Sequence, residues 1–133
     1  MKTTLFLLII CFIALNAKIS TFVASKNGFN VCKINHKNDV CIVRLKGNPT
    51  TGFTWLIRPK KDGVVQFGEP EFQRNSSPHG AVGVGGFFEY RISVVSEPVD
   101  TETILDFYYV QQWARDGLED KEPEYKLGVV IEM

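Results

Sequence analysis

Phe88-Glu89-Tyr90-Arg91-Ile92-Ser93-Val94 alternates apolar and polar residues at every step. A period of two sorts side chains onto the two faces of an extended strand, so Phe88, Tyr90, Ile92 and Val94 face a core. Near the C-terminus the pattern recurs: Tyr125, Leu127, Val129 and Ile131 alternate with Lys126, Gly128, Val130 and Glu132. Outward from these two, the β-branched and aromatic runs 29–34, 42–45, 53–57 and 104–110 read as strands, with 64–67 and 71–74 as weaker ones. No segment after residue 28 carries a convincing 3.6-residue apolar period. The expected fold is all-β, an immunoglobulin-like antiparallel β-sandwich of about seven strands, with Trp55 buried in a mid-sandwich strand.

The chain has 133 residues, 44% hydrophobic and 23% charged, which suits one globular domain and excludes a disordered tail. Fifteen Lys and Arg balance fifteen Asp and Glu, so the net charge is zero and bulk electrostatic binding of nucleic acid is not expected. Lys2 precedes an unbroken apolar run, residues 5–15, which is shorter than the roughly 20 residues a membrane-spanning helix needs. With the small residue Ala17 behind it, this stretch reads as a secretory signal peptide, residues 1–17, cleaved after Ala17. The alternative is an apolar first element of the domain. Residues 18–27 are expected to be an N-terminal extension and 28–133 the domain. No membrane association is expected once the leader is gone. The remaining chain carries a net charge of −1 and is expected to be a monomer.

Two cysteines remain after the leader, Cys32 and Cys41. An even pair in an exported chain points to a disulfide; two buried free thiols are the alternative. A two-residue hairpin turn at His36 and Lys37 would set Cys32 opposite Cys41 as a non-hydrogen-bonded pair, with Cα atoms about 4.5 Å apart.

Enzymatic chemistry finds little support. The only histidines are His36 and His79, and His36 lies beside the cysteines that are expected to pair. Cys32, His36 and Cys41 fall one ligand short of a structural zinc site. Asp116, Glu119, Asp120, Glu122 and Glu124 crowd one segment without regular calcium-ligand spacing and read as a solvated acidic loop. Gly83-Val84-Gly85-Gly86 loosely resembles a phosphate cradle, but a strand follows it rather than a helix. No catalytic residue, metal or cofactor is therefore expected.

Three connections stand out. Residues 47–52 (GNPTTG) hold Asn48 before Pro49, which suits a tight turn, and Gly52, which tolerates positive φ. Proline pushes Asn48 to an extended conformation, and Thr50 and Thr51 give the tip small hydroxyl side chains. An ordinary inter-strand turn is the bland reading. Residues 75–86 (NSSPHGAVGVGG) open on the glycosylation sequon Asn75-Ser76-Ser77, which Pro78 disfavours. In residues 112–123, Trp113 stands just past a strand end, either as a binding anchor or folded over the core.

Together Asn48-Pro49-Thr50-Thr51-Gly52-Phe53 before Trp55, Gly83 to Gly86 before an aromatic strand, and Tyr109-Val110-Gln111-Gln112-Trp113 after a strand resemble the chagasin family of cysteine-protease inhibitors. The resemblance covers most of residues 28–133. It implies an immunoglobulin-like sandwich whose three loops enter the cleft of a papain-like protease. Residues 48–53 would cover the catalytic centre, with Thr50 nearest to it. Gly83 to Gly86 would run along one side of the cleft, and Trp113 would pack on the primed side. Where the family usually carries Arg-Pro before the tryptophan, this chain has Gln111-Gln112, so weaker or more selective inhibition is expected, strengthened by restoring Arg and Pro. The implied partners are papain-like cysteine proteases. The implied setting is the secretory pathway, with secretion or delivery to a lysosome or phagosome. A non-inhibitory immunoglobulin-like adhesion or ligand-binding module is the alternative.

Overall fold

The computed structural model describes residues 17–74, 85–95 and 100–133. Expectations that fall on residues 1–16, on Asn75 and on Gly83 and Val84 lie outside them. The described strands are β1 (Ile19–Val23), β2 (Gly28–Ile34), β3 (Val40–Gly47), β4 (Phe53–Pro59), β5 (Val65–Phe67), β6 (Glu71–Arg74), β7 (Gly86–Val94), β8 (Thr101–Gln111) and β9 (Tyr125–Ile131). Two short 3-10 turns, Pro49–Thr51 and Leu118–Asp120, complete the described elements. Among the described residues no helix is long and apolar enough to cross a membrane.

The strands form two sheets. One runs β1-β3-β7-β5, with β6 also paired to β7; the other runs β2-β9-β8-β4. Alternation becomes burial: Phe88, Tyr90, Ile92 and Val94 of β7 are buried, as are Tyr125, Leu127, Val129 and Ile131 of β9. Trp55 is buried too, and its indole N–H donates to the Lys46 carbonyl at 3.0 Å. The Tyr90 hydroxyl donates to the Trp55 carbonyl at 2.8 Å and so ties one sheet to the other. Burial pushes the Tyr90 phenol up to about 12, so it stays protonated as a donor at neutral pH.

Three expectations need correction. First, the sheets are mixed: β1 pairs parallel with β3, and β2 pairs parallel with β9. Secondly, part of residues 18–27 is strand β1, whose Phe22 packs against the core. Thirdly, no hairpin joins Cys32 to Cys41. Strand β2 lies in one sheet and β3 in the other, because residues 35–39 carry the chain across the sandwich. The disulfide Cys32–Cys41 therefore links the two sheets through the core, with Cα atoms 6.4 Å apart.

The apolar run in β8 has its own cause. Leu105 and Phe107 face the main core, while Tyr108 and Val110 join Leu56 and Leu118 in a second buried cluster. The segment after β8 thus folds back over the outer face of its sheet through Leu118.

Register brings the functional candidates to one end. Gly47, at the end of β3, pairs with Gly86 at the start of β7, which also pairs with Arg74 at the end of β6. In the other sheet Phe53, at the start of β4, pairs with Gln111 at the end of β8.

Candidate functional site

The tip is built by local chemistry. Asn48 is extended (φ −142°, ψ 105°), as a residue before proline should be. Pro49 opens the 3-10 turn, where its missing N–H is no loss. The Asn48 side-chain oxygen accepts from Thr50 N at 3.1 Å and from the Thr50 hydroxyl at 2.7 Å. The Asn48 carbonyl accepts from Thr51 N at 3.2 Å and from the Thr51 hydroxyl at 2.7 Å. Gly52 N then donates to the Pro49 carbonyl at 3.1 Å, and Gly52 closes the turn with φ +82°, a conformation that disfavours a side chain. Thr50 and Thr51 are exposed, whereas Asn48, Pro49, Gly52 and Phe53 are half-buried.

Below the tip stands a strut that the sequence reading did not single out. The Tyr109 hydroxyl accepts from Asn48 N at 3.2 Å. Its ring stacks on Phe53 (centroids 5.1 Å, interplanar 15°) and lies against Trp55 at 4.9 Å. The contact spans 61 residues of chain, so the sequence places Tyr109 in a strand and in the 109–113 motif without showing its bond to Asn48.

The third segment docks on the first. Gln112 N donates to the Gly52 carbonyl at 3.0 Å, and Ala114 N donates to the Gln111 carbonyl at 2.9 Å. A Cβ placed on Gly52 would stand 3.4 Å from Cη2 and Cζ3 of Trp113. The indole therefore lies beside the tip, yet it is 74% exposed. Trp113 is not folded over the core. Gln111 is half-buried and Gln112 is exposed.

Gly85 and Gly86 are the described part of the second segment. A Cβ on Gly86 would collide with the Gln73 carbonyl, and one on Gly85 would reach the Gly47 carbonyl at 3.4 Å. Gly47 is itself hemmed in, 2.6 Å from Phe88 Cε2 to an added Cβ. The glycines allow close approach of three backbones at this end.

No ionisable side chain lies in residues 48–53 or 111–113. Among the described residues no group of three or more His, Cys, Asp or Glu could hold a metal ion. What converges is a stiff, neutral, glycine-walled tip with an exposed tryptophan beside it. The β-sandwich presents this tip and the tryptophan beside it at one end.

The chain belongs to the chagasin family of peptidase inhibitors: the model of "Chagasin family peptidase inhibitor I42" matches residues 35–129. No curated protein matches the chain. Among solved structures, it is similar in fold to a cysteine protease inhibitor from Entamoeba histolytica, with TM-score 0.63 and 21% identity over 88% of this chain and 98% of that one. It is also similar to amebosin, with TM-score 0.57 and 18% identity over 86% of this chain and 98% of that one.

Proposed function

We infer that the protein is a reversible, tight-binding inhibitor of papain-like cysteine proteases, and not an enzyme. Membership of the chagasin family supports inhibition, and the resemblance of residues 48–53 and 109–113 to that family's motifs supports papain-like cysteine proteases as the target class. The observation that carries the mode of action is the meeting of Gly52 and Trp113. It joins a hydrogen-bonded tip and an exposed aromatic anchor in one continuous surface.

The tip fills the active-site cleft without lying in it as a substrate would. A protease cleaves an extended segment, whereas Pro49–Thr51 is locked in a 3-10 turn. That rigidity lowers the ordering cost of binding. Thr50 sits closest to the catalytic centre; its hydroxyl proton is already given to Asn48, so it offers the protease acceptor lone pairs. Trp113 packs on the primed side of the cleft, and the Gly83–Gly86 segment runs along one side of it. The interface buries roughly 1,600 Å² in total.

The chain is exported, with residues 1–17 as its leader, and acts outside the cell or in a lysosome or phagosome. The Cys32–Cys41 disulfide supports an oxidising compartment. Titration of the secreted protein into papain and a cathepsin L-like protease tests the inhibitory reading. Stoichiometric loss of activity with the inhibitor recovered intact is expected. Full activity at micromolar inhibitor, across several such proteases, would overturn it.

A further inference from the structure

The inhibitory tip leaves one buried acid at the opposite end of the sandwich without a role. Asp39 is 1% exposed. One carboxylate oxygen accepts from Lys18 N at 2.9 Å; the other accepts from Asn35 N at 3.0 Å and His36 N at 3.2 Å. Burial pushes its pKa up, but these backbone donors outweigh burial and the pKa lies below the ordinary value. Asp39 is thus an anion at neutral pH. Among the described residues it forms no side-chain ion pair.

Lys18 is held at three points. Besides its N–H on Asp39, its carbonyl accepts from Val40 N at 3.0 Å, and its Nζ donates to Asn35 Oδ1 at 3.3 Å. Ala17, the residue before it, is exposed. The anchored stretch therefore starts at the residue that becomes the chain terminus if the leader leaves after Ala17.

We propose that Asp39 is the built receptor for the α-ammonium group that cleavage between Ala17 and Lys18 creates. This rests on the leader reading given above. Cleavage breaks the Ala17–Lys18 peptide bond with one water. The hydroxyl goes to the Ala17 carbonyl carbon, one hydrogen goes to Lys18 N, and the new amine takes a further proton from solvent. A single neutral N–H donor becomes a full positive charge in the same seat. Charge-assisted hydrogen bonds are about twice as strong as neutral ones. The gain falls on β1, which among the described strands is an edge strand paired with β3, and whose Phe22 packs against the core. Export thus completes the fold: the sandwich is more stable without its leader than with it. The other charged or titratable groups nearby are the Lys18 side chain, His36 and Lys37 in the turn, and Glu132, whose carbonyl holds the Asn35 amide.

The test uses the full precursor expressed in a secreting eukaryotic host, with the N-terminus of the product read by mass spectrometry. A second precursor carries Gly-Ser inserted between Ala17 and Lys18, so that Lys18 N remains an amide. In the first product the Lys18 α-amine should titrate at least about one unit above its ordinary value of about 7.7–8.0, followed by NMR. Thermal unfolding at neutral pH should come about 4 °C higher than in the insertion variant. A raised pKa means that this extra stability is present at neutral pH and is lost as pH rises through the raised value. In an Asp39→Asn background the difference between the two products should vanish. A product that begins elsewhere than Lys18 overturns both the leader reading and this proposal. A product that begins at Lys18 but shows an ordinary α-amine pKa, and melts with the insertion variant, overturns the ion pair and leaves the leader reading standing.

Discussion

The tip end and the far end of this sandwich are both rigid, and they reach rigidity by different chemistry. Between Asn48 and Phe53 the chain is held by short neutral hydrogen bonds, a proline, a left-handed glycine and the Tyr109 strut. Around residues 32–41 it is held by a disulfide and a buried carboxylate. A surface that must shed water on binding is poorly served by charges, because each ion buried there needs a new partner. In the binding mode proposed above the far end lies outside the interface and carries its charge without that cost. Variants at one end should therefore move inhibition, and variants at the other should move stability.

The largest effect is expected from Cys32→Ala with Cys41→Ala. Removing the inter-sheet link should lower unfolding free energy by about 3 kcal/mol in urea titrations, with the inhibition constant unchanged where the protein is folded. A large loss of inhibition by the folded variant would break the separation of the two ends. Next comes Trp113→Ala, which should weaken inhibition by about 30-fold, equivalent to about 2 kcal/mol, and leave the melting temperature in place. Equal inhibition constants for the variant and the parent would remove the anchor.

Gln112→Pro sharpens the comparison. Resemblance alone implies that Arg and Pro at 111 and 112 strengthen binding. The structure reverses this for proline, because Gln112 N donates to the Gly52 carbonyl and proline has no donor. Inhibition should weaken about fivefold, from the loss of about 1 kcal/mol that holds the tryptophan segment to the tip. Improved inhibition by the variant would show that the bond contributes nothing. The smallest effect concerns acid. The lowered pKa of Asp39 gives stability that is present above its unfolded value of 3.8 and is lost as pH falls through the lowered one. Asp39→Asn should flatten that limb of an acid-unfolding curve, while inhibition at neutral pH stays the same.

What could be read from sequence was local. The alternation of residues 88–94 and 125–131 carries its face assignment within itself, and both segments bury the expected side chains. The Asn48–Gly52 turn was legible for the same reason: proline and glycine restrict the backbone where they stand. Long-range pairings were not. The spacing of Cys32 and Cys41 fits a hairpin as well as a crossing between sheets, and nothing within nine residues distinguishes them. Strand β1 is hard to read from sequence because it follows the apolar run 5–15 and pairs parallel with β3, which leaves no turn signal between them. Tyr109 looked like one more strand residue, since its partner Asn48 is distant in the chain.

The central claim is that the Asn48–Phe53 tip and Trp113 enter the protease together. A crystal structure of the protein bound to papain tests it most directly. The account predicts Thr50 beside the catalytic cysteine, the 3-10 turn intact and uncut, and the Trp113 indole packed on the primed side. A complex in which the protease grips the opposite end of the sandwich, with residues 48–53 in solvent, would contradict it.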